Sequence, residues 1–144
     1  TTALVTHIVL GVAAIGLLHL VLMQILKKRP SWRWAGDLAT WATFLFFVSW
    51  GSSAYYYVVY YGSAVKPIIK AGEYAWAHSI FMEGKEHIFL ILPFLALVLT
   101  LALRVLERSP DVAIRRSVTI LAAVLVGLSI FVALAGVAVS GAAR

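Results

Sequence analysis

Four long apolar stretches, separated by shorter polar connections, dominate the chain. They lie at about residues 4–26, 38–61, 87–106 and 112–140, and each reaches roughly the ~20 residues that a helix needs to cross a bilayer. Because lipid offers no hydrogen-bond partners to an exposed backbone, we expect helices throughout. The pattern predicts an all-α, integral membrane four-helix bundle that occupies residues 1–144 as a single transmembrane domain.

Basic residues set the expected direction of the four helices. They lie in or beside the first and third connections: Lys27, Lys28, Arg29, Arg33, Arg104, Arg108, Arg115 and Arg116. The positive-inside rule places both connections in the cytoplasm. The expected order is therefore up-down-up-down in the cell inner (plasma) membrane, with both termini periplasmic or extracellular.

The second connection, about residues 62–86, is the longest and would then lie on the outer side. It mixes Ile68, Ile69, Tyr74 and Trp76 with lysines. Such a mixture is typical of a helix that lies in the membrane interface rather than across the bilayer. We therefore expect an interfacial helix in this connection.

Composition narrows the classes of function. Apolar residues make up 62% of the chain and charged residues 12%, which excludes an ordinary soluble domain and makes the lipid bilayer the first partner. The net charge of +6 belongs to the connections rather than to one soluble face, so nucleic acid is not an expected partner. The chain has no cysteine, so any bound metal or haem must use histidine, methionine or carboxylates.

His7 and His87 lie at similar depths in the first and third helices. Counted from the cytoplasmic ends at about 1.5 Å per residue, their depths differ by about 4–5 Å. Two imidazoles facing each other across a bundle hold b-type haem without covalent attachment, and Gly11 and Gly84 would leave space for the ring. The pattern predicts haem b with His7 and His87 as axial ligands near the outer face; ordinary interfacial histidines are the alternative.

The charges around His87 suggest further roles. Glu83 lies one turn before His87 and is predicted to orient its ring. Glu83 and Glu86 are also candidates to pass protons between a membrane redox site and the outer water. In an alternative to haem, His7, His87 and Glu83 bind a divalent metal. Lys85 is interpreted as a residue at the water boundary whose aliphatic part extends along the apolar surface.

The two other histidines have different environments. His19 lies roughly 12 Å from the inner end of the first helix, where a polar side chain needs a partner. It is a candidate for a second haem site shared with a partner subunit, for a contact to quinone, or for a hydrogen bond to a neighbouring helix. His78 falls in or beside the outer connection and is expected to be solvated or interfacial.

These features predict a membrane subunit of a respiratory electron-transfer complex that binds haem b and exchanges electrons with quinone. The layout resembles that of small membrane cytochrome b subunits at the level of architecture. With little mass outside the bilayer, such a chain needs other membrane or peripheral redox subunits as partners. The alternative function is a cofactor-free accessory or assembly subunit of a larger membrane complex, or a small metal or proton carrier.

Overall fold

The chain is described here in a computed structural model that covers residues 1–142, apart from the side chains of residues 77, 78 and 142. Five α-helices are present in this part of the chain: α1 (Thr2–Leu26), α2 (Trp32–Tyr56), α3 (Lys66–Ala71), α4 (Glu83–Arg108) and α5 (Val112–Ala142). Two π-helical segments, Tyr57–Val65 and Ala77–Met82, follow α2 and precede α4. Residues 1–142 contain no strand, so the all-α prediction is confirmed.

The four long helices form a bundle. α1 packs against α2 and α5, and α4 packs against the same two helices. Contacts at the two ends show that neighbours run antiparallel: His7 of α1 meets Ser49 of α2 at one end, and Arg115 of α5 meets Ile25 of α1 at the other. We call the end with both termini the outer end and the opposite one the inner end.

Three of the described helical stretches are long and apolar enough to cross a membrane: Thr2–Leu26, Ser79–Arg108 and Val112–Gly141. The sequence predicts a fourth span in α2, which is 25 residues long. α2 is not among the three: it has Arg33 and Asp37 in its first two turns, and several serine and threonine side chains follow them.

The core is a seam of buried positions whose spacing alternates between four and three residues, as in coiled-coil packing. The seam consists of Ala14, Leu18, Val21 and Ile25 in α1, Ala35, Ala39, Ala42 and Phe46 in α2, Leu92, Ala96, Leu99, Leu103 and Leu106 in α4, and Val118, Ala122 and Leu125 in α5. Alanine at these positions of α2 lets the helix backbones approach closely. Close packing of this kind holds helices together in lipid, where the hydrophobic effect no longer favours their association.

Arg104 ties α4 to α2 at the inner end. Its guanidinium donates to Asp37 Oδ1 at 2.7 Å and to Glu107 Oε2 at 3.1 Å. A Cβ at Gly36 would lie 3.1 Å from Arg104 Nη1, so the glycine leaves room for the guanidinium beside α2. The Arg104 side chain is 34% exposed, and its ion pairs therefore contribute on the order of 1 kcal/mol or less.

Arg115 ties α5 to α1 at the same end. Its Nη2 donates to Ile25 O at 3.1 Å and to Lys27 O at 3.0 Å, which are carbonyls at the end of α1 that lack helical donors. The guanidinium also lies 5.7 Å from the centre of the Trp32 ring. Asp111 caps α5 by accepting a hydrogen bond from the backbone N–H three residues later. These polar groups of the inner end thus have partners, whereas the buried Gln24 Oε1 of α1 has none in the described structure.

Candidate functional site

Towards the outer end, the seam continues with the same spacing, but its residues change in kind. Polar residues and glycines now stand among the apolar ones. The positions are His7 and Gly11 in α1, Ser49 in α2, Lys85 and Phe89 in α4, and Ser129, Val132 and Gly136 in α5. The packing register that builds the core at the inner end therefore directs histidine, lysine and serine into the bundle at the outer end.

All of these residues except Ser49 line a cavity of about 420 Å³ between α1, α4 and α5. Its volume falls in the range of about 300–1,000 Å³ that is usual for small-molecule sites. Most of the lining is apolar, and the polar side chains that reach it are those of His7, Lys85, Ser129 and Ser140. Largely apolar walls with a few polar groups are the normal composition of a site for a lipophilic ligand.

Hydrogen bonds fix the ring of His7. Its Nδ1 lies 2.9 Å from Ser49 Oγ and 3.2 Å from Ser49 O, and the Ser49 hydroxyl donates to His7 O at 3.0 Å. Because the single hydroxyl proton is used in that bond, Nδ1 must donate to Ser49, and Nε2 of the neutral ring keeps its lone pair. A Cβ at Gly11 would lie 3.3 Å from Ser49 Oγ, so this glycine makes room for the arrangement.

Lys85 brings an unpaired positive charge to the cavity. It is partly buried, and it has neither a hydrogen bond nor a salt bridge to any described residue. Glu86 attracts it electrostatically without forming an ion pair. A Cβ at Gly136 of α5 would lie 3.3 Å from Lys85 Nζ. The ammonium group therefore lies in space that Gly136 leaves open on the facing helix.

Ser129 contributes a second polar group without a partner. The residue is 1% exposed, and its hydroxyl makes no hydrogen bond in the described structure. Hydroxyl side chains in helices commonly donate to the carbonyl four residues earlier. Ser117 and Thr119 of the same helix do so, at 3.2 Å and 2.8 Å. Ser129 differs from both because it lies on the seam and lines the cavity.

His87 does not face the cavity. It follows Lys85 by two residues, which turns it about 200° around the helix, and it is exposed. Its Nδ1 donates to Glu83 O at 2.7 Å, so the backbone of Glu83, rather than the predicted carboxylate, orients the ring. The structure therefore does not bring His7, His87 and Glu83 together. Among the described residues there is no group of three or more potential metal ligands.

Glu86 and Gly84 lie beside the cavity lysine without lining the cavity itself. Glu86 is partly buried, and its Oε1 has no hydrogen-bond partner. Its carboxylate interacts with Tyr57, at the start of the π-helical segment that follows α2. Gly84 has no atoms of other residues within 4 Å of the position that a Cβ would take. The space beside Gly84 is open, but it is not the space next to His7.

His19 lies on the face of α1 that points away from the bundle. It is exposed, and its Nδ1 donates to Ile15 O of its own helix at 3.3 Å. No second site forms around it within the described part of this chain, so its assignment to a site shared with a partner stays a prediction. The side chain of His78, predicted to be solvated or interfacial, lies outside the described residues.

Comparison with known proteins adds no assignment. No protein family, curated protein or solved structure matches the chain. The functional argument therefore rests on the outer cavity and on the residues that line it.

Proposed function

We propose that the chain is an integral membrane subunit of a respiratory electron-transfer complex, and that its own contribution is a quinone site in the outer cavity. In this proposal all four long helices cross the membrane, with α2 shielded in part by its neighbours. The inner end, with its basic connections, faces the cytoplasm, and both termini and the cavity lie towards the opposite side. The apolar outer surfaces of α1, α4 and α5 support contact with lipid.

The observation that carries this proposal is the unpaired ammonium group of Lys85 in an apolar cavity. Partial burial removes some of the water around this charge, which is unfavourable unless a hydrogen-bond acceptor replaces it. The ligand should therefore present an acceptor to Lys85 and apolar surface to the rest of the lining. A quinone has both, because its carbonyl oxygens are acceptors and its ring and side chain are apolar.

His7 extends the argument to the reduced ligand. A quinone becomes a quinol by taking up two electrons and two protons, and its carbonyl acceptors then become hydroxyl donors. Lys85 offers only donors, whereas His7 Nε2 offers a lone pair. A cavity lined by both groups has a partner for either redox form of the same molecule.

The electrons would come from, or pass to, a redox group of a partner subunit. The predicted haem between His7 and His87 is not needed for this role. To share a haem with His7, His87 would have to turn from the exposed face of α4 into the cavity, where Lys85 and Phe89 lie. We therefore assign the cavity to quinone.

Binding to the purified chain tests the proposal. A decyl-substituted 1,4-benzoquinone, added to protein in lipid nanodiscs, should quench tryptophan fluorescence with saturation. Lys85→Met should weaken binding about ten- to a hundredfold, because hydrogen bonds to charged groups contribute about 1.5–3 kcal/mol. The variant should unfold at the same or a higher temperature, since it removes an unpaired charge.

Lys70→Met is the matched control. Lys70 is exposed in α3, outside the cavity, so this variant should bind the probe as the unchanged chain does. Absence of saturable binding to the unchanged chain would remove the quinone assignment and favour an accessory subunit without a ligand.

A further inference from the structure

We propose that the cavity selects molecules with two acceptor oxygens at opposite ends of one ring, that is, para-quinones. Lys85 would donate to the outer oxygen and the Ser129 hydroxyl to the inner one. This inference rests on the proposed quinone site and adds the class of quinone and its orientation. It also assigns a role to Ser129, which has no structural partner in the described chain.

The spacing of the two donors along α5 supports this orientation. Lys85 Nζ lies against Gly136, and Ser129 precedes Gly136 by seven residues on the same helix face. Seven residues correspond to about 10 Å along the helix axis. Two hydrogen bonds of about 3 Å each leave about 4–5 Å between the acceptors. The two carbonyl oxygens of a para-quinone lie roughly 5.3 Å apart, so hydrogen bonds inclined to the helix axis can join both of them to the two donors.

The unpaired hydroxyl of Ser129 provides the independent argument for a ligand. A buried hydroxyl without a partner is unfavourable. Ser117 and Thr119 of the same helix, although less buried than Ser129, do have a partner in their own backbone. Ser129 is buried as deeply as the apolar seam residues around it. A ligand oxygen at the inner end of the cavity would supply the missing partner.

The remaining lining suits the ring and its side chain. Phe89, Leu92 and Val132 lie between the two donors and offer apolar surface to a ring. Three other lining residues, Ile8, Val12 and Val137, are 51%, 62% and 70% exposed. They open the cavity towards the lipid between α1 and α5, where an alkyl or isoprenoid tail would leave.

Two probes with the same alkyl tail, one with two carbonyl oxygens and one with a single carbonyl oxygen, test the inference. The first is the decyl-substituted 1,4-benzoquinone, and the second is a decyl-substituted cyclohexenone with a single carbonyl. The unchanged chain should bind the first about three- to tenfold more tightly, the range expected for one hydrogen bond between neutral groups. Ser129→Ala should remove this preference by weakening the quinone alone, whereas Lys85→Met should weaken both probes.

Ser117→Ala is the matched control, because its hydroxyl lies on the same helix but bonds to its own backbone; it should leave both affinities unchanged. The preference of the unchanged chain is an independent measurement that requires no variant to fold. If this chain binds both probes equally, or Ser129→Ala keeps the preference, the two-ended site is overturned while the quinone site stands. If neither probe binds, the proposed function itself fails.

Discussion

The inner and outer halves of the bundle share one packing register but differ in what occupies it. At the inner end, the seam positions hold leucine, isoleucine, valine and alanine, and the helices close on one another. At the outer end, the continuing positions include histidine, lysine, serine and glycine besides Phe89 and Val132, and most of them line a cavity. The comparison shows that the register decides which side chains meet, whereas residue type decides whether they form a core or a site.

Two cations on α4 make the same contrast. Arg104 and Lys85 each lie against a glycine of a facing helix, Gly36 and Gly136 respectively. Arg104 has carboxylate partners, whereas Lys85 has no salt bridge or hydrogen bond in the described structure. A cation with partners ties helices together, and a cation without them is available to a ligand.

The largest expected effect is a difference in labelling between the inner and outer ends of the bundle, which shows the side of the membrane that each end faces. The chain has no cysteine, so a single cysteine can be introduced at either end without interference. Thr2→Cys should react fully with an impermeant maleimide added to the outside of intact cells, whereas Arg29→Cys should react only after the membrane is opened. The opposite pattern would place the cavity on the cytoplasmic side.

The next largest effect is expected from substituting His7, which lies on the seam, compared with His87, which does not. His7→Ala removes the Nε2 acceptor and the bonds to Ser49 and should weaken binding of the benzoquinone probe about tenfold. His87→Ala should leave this affinity unchanged, because the exposed ring does not line the cavity. A haem absorption band that either substitution abolishes would instead restore the predicted axial pair and contradict the assignment made here.

The smallest expected effect compares two glycines of α5. Gly136→Ala should displace the Lys85 ammonium, since the new Cβ would lie 3.3 Å from Nζ, and should weaken binding of the same probe about three- to fivefold. Gly127→Ala makes the same change where no other atom lies within 4 Å, so it should have no effect. When Lys85→Met is also present, Gly136→Ala and Gly127→Ala should bind the probe with equal affinity. A remaining difference would mean that Gly136 affects binding independently of Lys85.

The helices could be predicted from sequence because each apolar stretch is long and uninterrupted, and only their ends differ from the prediction. α4 begins at Glu83 rather than near residue 87, since helical structure does not stop where polarity begins. The two π-helical segments beside the outer connection had no recognisable sequence signal. The connection does contain the short helix α3, although its position in the membrane interface stays a prediction.

The site was harder to predict because residue type and depth do not determine the face of a helix. His87 has the right chemistry and depth for a ligand, but it lies off the seam. Lys85, interpreted from sequence as a boundary residue, lies one heptad before Leu92 and faces the cavity. Extending the apolar four-three spacing of each helix outwards would have found His7, Lys85 and Ser129 together. The missing partner of Ser129 required coordinates.

In the proposed site, the mouth of the cavity opens to lipid, and this opening determines which ligand concentration governs the occupancy of the site. A molecule that enters between Ile8, Val12 and Val137 comes from the surrounding leaflet, not from water. The occupancy of the site therefore depends on the mole fraction of the ligand among the lipids. When lipid is added at constant protein and constant total ligand, the apparent affinity, expressed per volume of solution, should weaken in proportion. For the same reason, a long hydrocarbon tail would fill the site mainly by raising the amount of ligand dissolved in the membrane, even where the tail touches little of the protein.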